Sequence, residues 1–216
     1  MKRLLAVLLV LVLAVGFVAC GGGGGSSSSG GGGGTIKNYF PVAVGNEWTY
    51  RTSHYDISYS TSKITQSTAN AFTMKTTYLG ATGYFTADLT LSNNRWGIAK
   101  ITGYSASGAI LGSGTWSPPL LIFPSRTDIG THETQTSTYT EGGFSMQEVV
   151  DITVDGYESV TVPAGTFSNA LKLTRYTAYG TSTEWYADSV GFVKSVEPAD
   201  LPFPSFIQEL TSYTIK

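Results

Sequence analysis

The sequence predicts an all-β protein: a single antiparallel β domain, built as a strongly curved sheet, half-barrel or sandwich, that follows a signal peptide and a Gly/Ser linker. Three observations carry this expectation. Apolar and aromatic residues alternate with polar ones over short runs, the period of a half-buried strand. Turn formers recur every ~8 to 12 residues, as in meanders and hairpins. Thr, Ser, Tyr and Val dominate the runs, where an amphipathic helix would use Ala, Leu, Glu and Lys.

Residues 1–19 read as the signal peptide. Lys2 and Arg3 give a short positive start, and Leu4 to Val18 form an apolar run interrupted only by Gly16. That run is shorter than the ~20 residues a spanning helix needs. Phe17-Val18-Ala19-Cys20 resembles the bacterial lipobox, with Phe17 where the pattern usually has Leu. The resemblance implies cleavage before Cys20 and diacylation of its sulfur, hence a membrane partner reached through a lipid anchor at Cys20. Residues 20–34 are the lipidated Cys20 and, over 21–34, GGGGGSSSSGGGGG, a flexible tether with a root-mean-square span of ~20 Å. Gly21 and Gly22 stand where some inner-membrane lipoproteins of Gram-negative bacteria carry Asp. The expected location is therefore the cell envelope, at the outer membrane if the host is Gram-negative.

Residues 35–216 form the expected β domain. Tyr55, Ile57 and Tyr59 alternate with polar neighbours; so do Phe72, Met74 and Thr76, then Phe85, Ala87, Leu89 and Leu91, then Val150, Ile152 and Val154. Turns are expected at Gly45-Asn46, Gly80 to Gly83, Asn93-Asn94, Gly142-Gly143, Asp155-Gly156, Pro163-Ala164, Gly180 and Gly191. The best late helix candidate, Asp200 to Leu210, is broken by Pro202 and Pro204. Four tryptophans and thirteen tyrosines are many for this length. Trp48, Trp96, Trp116 and Trp185 lie in strand-like runs and are expected to fill the core.

Two segments resemble a group of uncharacterised bacterial envelope lipoproteins of unknown function. Residues 39–50, YFPVAVGNEWTY, are similar to the opening of that group. Residues 160–167, VTVPAGTF, with 184–194, EWYADSVGFVK, are similar to its C-terminal signature, although Asp188-Ser189 replace the usual Pro-Gly. The Pro/Leu-rich stretch Pro118 to Pro124 sits where those proteins have a similar connection. The resemblance implies a curved antiparallel sheet, distantly similar to lipoprotein-carrier half-barrels.

Chemistry is sparse. The net charge is -2, with no basic run outside the signal, which argues against nucleic acid as a partner. Cys20 is the sole cysteine, so no disulfide framework is expected. His54 and His132 lack metal-ligand spacing, and no cofactor or metal is expected. No catalytic residue stands out. Glu184 and Asp188, an even number of positions apart, are the one pair able to share a strand face as acid and base.

The leading expectation is a non-catalytic protein that binds or scaffolds an envelope protein, glycan or lipid. The alternative is a carrier for an apolar ligand, with Leu120, Leu121, Ile122 and Phe123 near the mouth of its cavity. A hydrolase working through Glu184 and Asp188 comes third.

Overall fold

In a computed structural model, residues 38–54, 57–198 and 205–216 are described. Cys20, the signal peptide and the Gly/Ser linker lie outside them. The described chain forms twelve strands: β1 (Glu47–His54), β2 (Ile57–Ser67), β3 (Ala71–Tyr78), β4 (Gly83–Ser92), β5 (Arg95–Ser105), β6 (Ile110–Phe123), β7 (His132–Glu141), β8 (Phe144–Val162), β9 (Gly165–Thr177), β10 (Gly180–Ala187), β11 (Gly191–Glu197) and β12 (Phe206–Thr214).

Each strand pairs antiparallel with the next, and β1 pairs with both β2 and β12. The curved antiparallel sheet is as expected, but it closes on itself. Closure runs from Glu47 opposite Thr214 to Thr52 opposite Gln208, a long-range pairing that no local pattern announces. The barrel is up-and-down, so its turns alternate between two ends. We call the end where β1 begins proximal and the other distal.

The hairpins follow turn chemistry. Asn93 and Asn94 both have positive φ (52° and 60°), as do Gly142 and Gly143 (54° and 84°), the combination a two-residue type I′ turn demands. Pro163-Ala164 joins β8 to β9, with Val162 opposite Gly165. Two expectations need correction. Asp155-Gly156 is no turn: the register of β8 against β9 slips between Val154 and Gly156, so the site is a bulge inside one long strand. Of the Tyr55-Ile57-Tyr59 run, Tyr55 lies outside the described residues, Ile57 opens β2, and Tyr59 is exposed. The late segment, broken as a helix by its prolines, leads into β12, which opens at Phe206.

Polarity is sorted between the two faces. Trp48 and Tyr50, Phe72 and Met74, Ala87 and Leu89, and Val150, Ile152 and Val154 all point inward and are buried. Outward positions carry Arg51–Glu209–Lys194, Lys63–Glu47 and Lys172–Glu158 ion pairs. A barrel embedded in lipid needs the reverse, an apolar outer band, so this wall is made to face water. Among the described residues no helix is long and apolar enough to cross a membrane. Twelve strands enclose more volume than the roughly eight whose side chains just fill a barrel. Bulky residues, among them Trp48, Tyr50, Tyr186 and Phe192, take up the difference.

Candidate functional site

The proximal end is sealed by its own chain. Phe40 enters from the segment before β1 and is 2% exposed; its ring lies 4.3 Å from Phe123, 5.6 Å from Tyr186 and 6.4 Å from Trp96, centroid to centroid. Asn46, fully buried, donates to the Pro41 carbonyl (2.6 Å) and accepts from the Lys216 amide (2.9 Å), tying the segment before β1 to the one after β12. The Trp48 indole donates to the Val190 carbonyl (2.8 Å), and the Tyr50 hydroxyl donates to that of Phe192 (3.2 Å). Residues 39–50 and 184–194 therefore meet in space and form one closure. Trp185 is the exception among the tryptophans. It is only partly buried, with its indole donating to Glu158 (2.8 Å), whereas Trp48, Trp96 and Trp116 fill the core.

Leu120, Leu121, Ile122 and Phe123 are packed in this sealed half, at 4%, 1%, 3% and 7% exposure. They end β6 as core residues, and of the four only Leu121 also lines a small pocket, of about 130 Å³, beside Trp96, Pro118, Pro119 and Gln135. Pro118 and Pro119 have no N–H, and β6 pairs with β7 only from Thr115 to Ser117. Arg175 takes over where the ladder stops: its guanidinium donates to the carbonyls of Leu121 (2.9 Å) and Ile122 (2.5 Å). The same group grips Glu184 through Nε (2.7 Å) and Nη2 (3.1 Å). Ser182 and Tyr186 donate the remaining bonds to that carboxylate. Burial works against the guanidinium's charge, and Glu184 more than restores it, so the pKa of Arg175 is raised.

The structure does not bring Glu184 and Asp188 together. Glu184 is an inward, clamped counter-ion, while Asp188 lies in the turn after β10 and accepts from the Asn38 amide (2.6 Å). His132 is exposed, 3.6 Å from Asp151, and the side chain of His54 lies outside the described residues. Among the described residues no group of side chains could hold a metal ion.

The distal end is different. A pocket of about 260 Å³ opens at its rim, lined among others by Tyr78, Phe85, Ile101, Gly103, Tyr104 and Leu111. Around it Leu79, Ile110 and Leu111 are 69%, 66% and 63% exposed. The Tyr78 hydroxyl is buried without a hydrogen-bond partner among the described residues, and burial raises its pKa, so it remains a donor.

Polar side chains line the facing wall. The Trp116 indole donates to Glu148 (2.9 Å), whose pKa is raised by burial against the opposing pull of that bond and of Arg175. Burial, with the Glu184 charge beside it, pushes the Glu197 carboxyl up to about 7. Sequence reasoning missed this end. Pocket residues come from four strands, and the one local sign of them in the sequence is the apolar pair Ile110-Leu111 beside a turn, of which Leu111 lines the pocket.

A family model described as DUF3108-like matches residues 119–197, from within β6 to the end of β11. No curated protein matches. Among solved structures, the chain is similar to a candidate exported protein with a YmcC-like fold from Bacteroides fragilis. That match has 14% identity and a TM-score of 0.45, covering 83% of this chain and 100% of the other. It is also similar to a candidate lipoprotein from Parabacteroides distasonis, with 12% identity and a TM-score of 0.44, covering 84% of this chain and 100% of the other.

Proposed function

We propose that this is a non-catalytic envelope protein, held at a membrane by acyl chains on Cys20 and the tether, whose distal pocket binds the apolar part of a ligand. The observation that carries the reading is the contrast between ends. The end the chain enters is plugged by Phe40, and the opposite end holds an apolar pocket with three exposed aliphatic side chains at its rim. Exposed apolar surface beside a concave pocket is the usual mark of a binding site. At about 260 Å³ the pocket lies just below the ~300 to 1,000 Å³ of drug-sized sites, which fits a single ring or short acyl segment better than a whole lipid. A non-catalytic role is supported by the way the inward Glu184 is saturated with hydrogen bonds, leaving it no free lone pair for proton transfer.

Titration with the neutral apolar fluorophore N-phenyl-1-naphthylamine tests this. The expected result is one saturable site, weakened about tenfold by Leu111→Asp, since withdrawing one leucine contact is worth ~1.5 kcal/mol. Leu111 is exposed, so the variant is expected to fold. Absence of saturation, or a folded Leu111→Asp protein that binds as the wild type does, would refute the pocket.

A further inference from the structure

Beside the apolar pocket the interior wall is acidic and short of counter-charge. Glu148, from β8, is 3% exposed and accepts one bond, from the Trp116 indole. Arg175 reaches it only through its field, because the guanidinium is bonded to Glu184 and to two carbonyls. Among the described residues no basic side chain forms an ion pair with Glu148. A second observation at the same place concerns Ser137. It sits directly opposite Glu148 in the β7–β8 ladder, is 1% exposed, and its Oγ has no partner among the described residues. A buried hydroxyl without a partner, opposite a buried carboxylate that accepts a single bond, is costly unless something else fills their hydrogen-bonding capacity.

The Trp116 indole that donates to Glu148 belongs to an aromatic pair. The rings of Trp116 and Tyr139 lie 4.8 Å apart, tilted by 48°. Tyr179 is close enough to Glu148 for its phenol pKa to be raised by burial first and by that charge second. The hydroxyl end of Tyr139 packs against Gly114, where a Cβ would overlap it, and Gly114 pairs with Ile101 of the apolar pocket. Pocket and acidic wall are thus joined through Ile101, Gly114 and Tyr139.

A buried carboxylate with an unpartnered hydroxyl opposite it and an aromatic pair alongside complements an ammonium group, which has three donors, no acceptor, and an attraction to ring faces. We propose that this corner of the barrel binds an organic cation, the alkylammonium group of a ligand whose apolar part occupies the distal pocket. Glu148 is the counter-ion, Ser137 Oγ an acceptor, and the contacting Trp116–Tyr139 pair a single aromatic wall. The inference rests on the pocket reading above and adds the ligand's charge to it. It also excludes an anionic ligand, which Glu148 would repel.

The test compares n-hexylammonium with 1-hexanol, alike in chain and different in charge, by calorimetry on the full chain at pH 8. Hexylammonium is expected to bind at least about tenfold more tightly, the scale of a hydrogen bond to a charged group. Glu148→Gln keeps an acceptor for Trp116 and should erase that preference; Ser137→Ala should reduce it by a few fold. Equal binding of the two probes by the wild type overturns the cation site and leaves the pocket standing. Failure of both probes to bind overturns the two together. A preference that survives in a folded Glu148→Gln variant removes Glu148 from the account.

Discussion

Replacing Arg175 with Met is expected to destabilise the barrel by about 3 to 5 kcal/mol, the range for breaking a buried ion pair from one side. Thermal unfolding should fall on the order of 10 °C for a domain of this size. The ion pair is close to inaccessible, with side chains 12% and 11% exposed, so solvent offers little compensation. The loss is threefold: Glu184 loses its counter-ion and retains only the Ser182 and Tyr186 bonds, the Leu121 and Ile122 carbonyls lose their donor, and Glu197 and Glu148 lose the positive field that opposes the rise in their pKa values. Met fills similar volume, so packing is largely preserved. A double variant, Arg175→Met with Glu184→Leu, removes the stranded charge and should recover part of the loss. If thermal melts show the double variant to be no more stable than Arg175→Met alone, uncompensated charge is not the cause.

Truncating the proximal plug is the second large effect. Phe40→Ala should cost about 3 to 5 kcal/mol, the usual scale for deleting a buried phenyl ring. Phe40 touches residues of β5, β6 and β10 at once, namely Trp96, Phe123 and Tyr186, so its removal opens a cavity no single neighbour can fill. Chemical denaturation should show the lower midpoint. Fluorophore binding at the distal end should be unchanged under conditions where the variant is folded, because the plug and the pocket sit at opposite ends. Loss of binding in proportion to stability would mean that the two ends do not behave independently.

What the sequence disclosed and what it withheld divide along local and non-local lines. Alternation in Phe72-Met74-Thr76 or Val150-Ile152-Val154 is a property of one strand, and those residues do face inward. The paired asparagines at 93 and 94 encode their own turn. Asp155-Gly156 carries the same turn vocabulary but lies where hydrophobic alternation continues on both sides, and the sheet absorbed it as a bulge. Closure through β1 and β12 depends on the ends of the domain meeting, which no window of sequence contains.

The site divides in the same way. Leu120 to Phe123 look like a ligand-contacting apolar run, but they are core, held by Phe40 from a segment some 80 residues earlier. Glu184 reads in sequence as half of an acid–base pair, but Arg175 on the neighbouring strand holds it as a counter-ion. The motif residues Trp48, Tyr50 and Val190 owe their pattern to one another, across the barrel's closure.

The measurement that bears most directly on the central claim is a map of backbone amide shifts as N-phenyl-1-naphthylamine is added to isotopically labelled protein. If the distal pocket is the binding site, the largest saturable shifts fall on Tyr78, Phe85, Ile101, Gly103 and Leu111, with Trp96 and Leu121 to Phe123 unmoved. Shifts centred on Leu120 to Phe123, or spread over the outer wall, would contradict it.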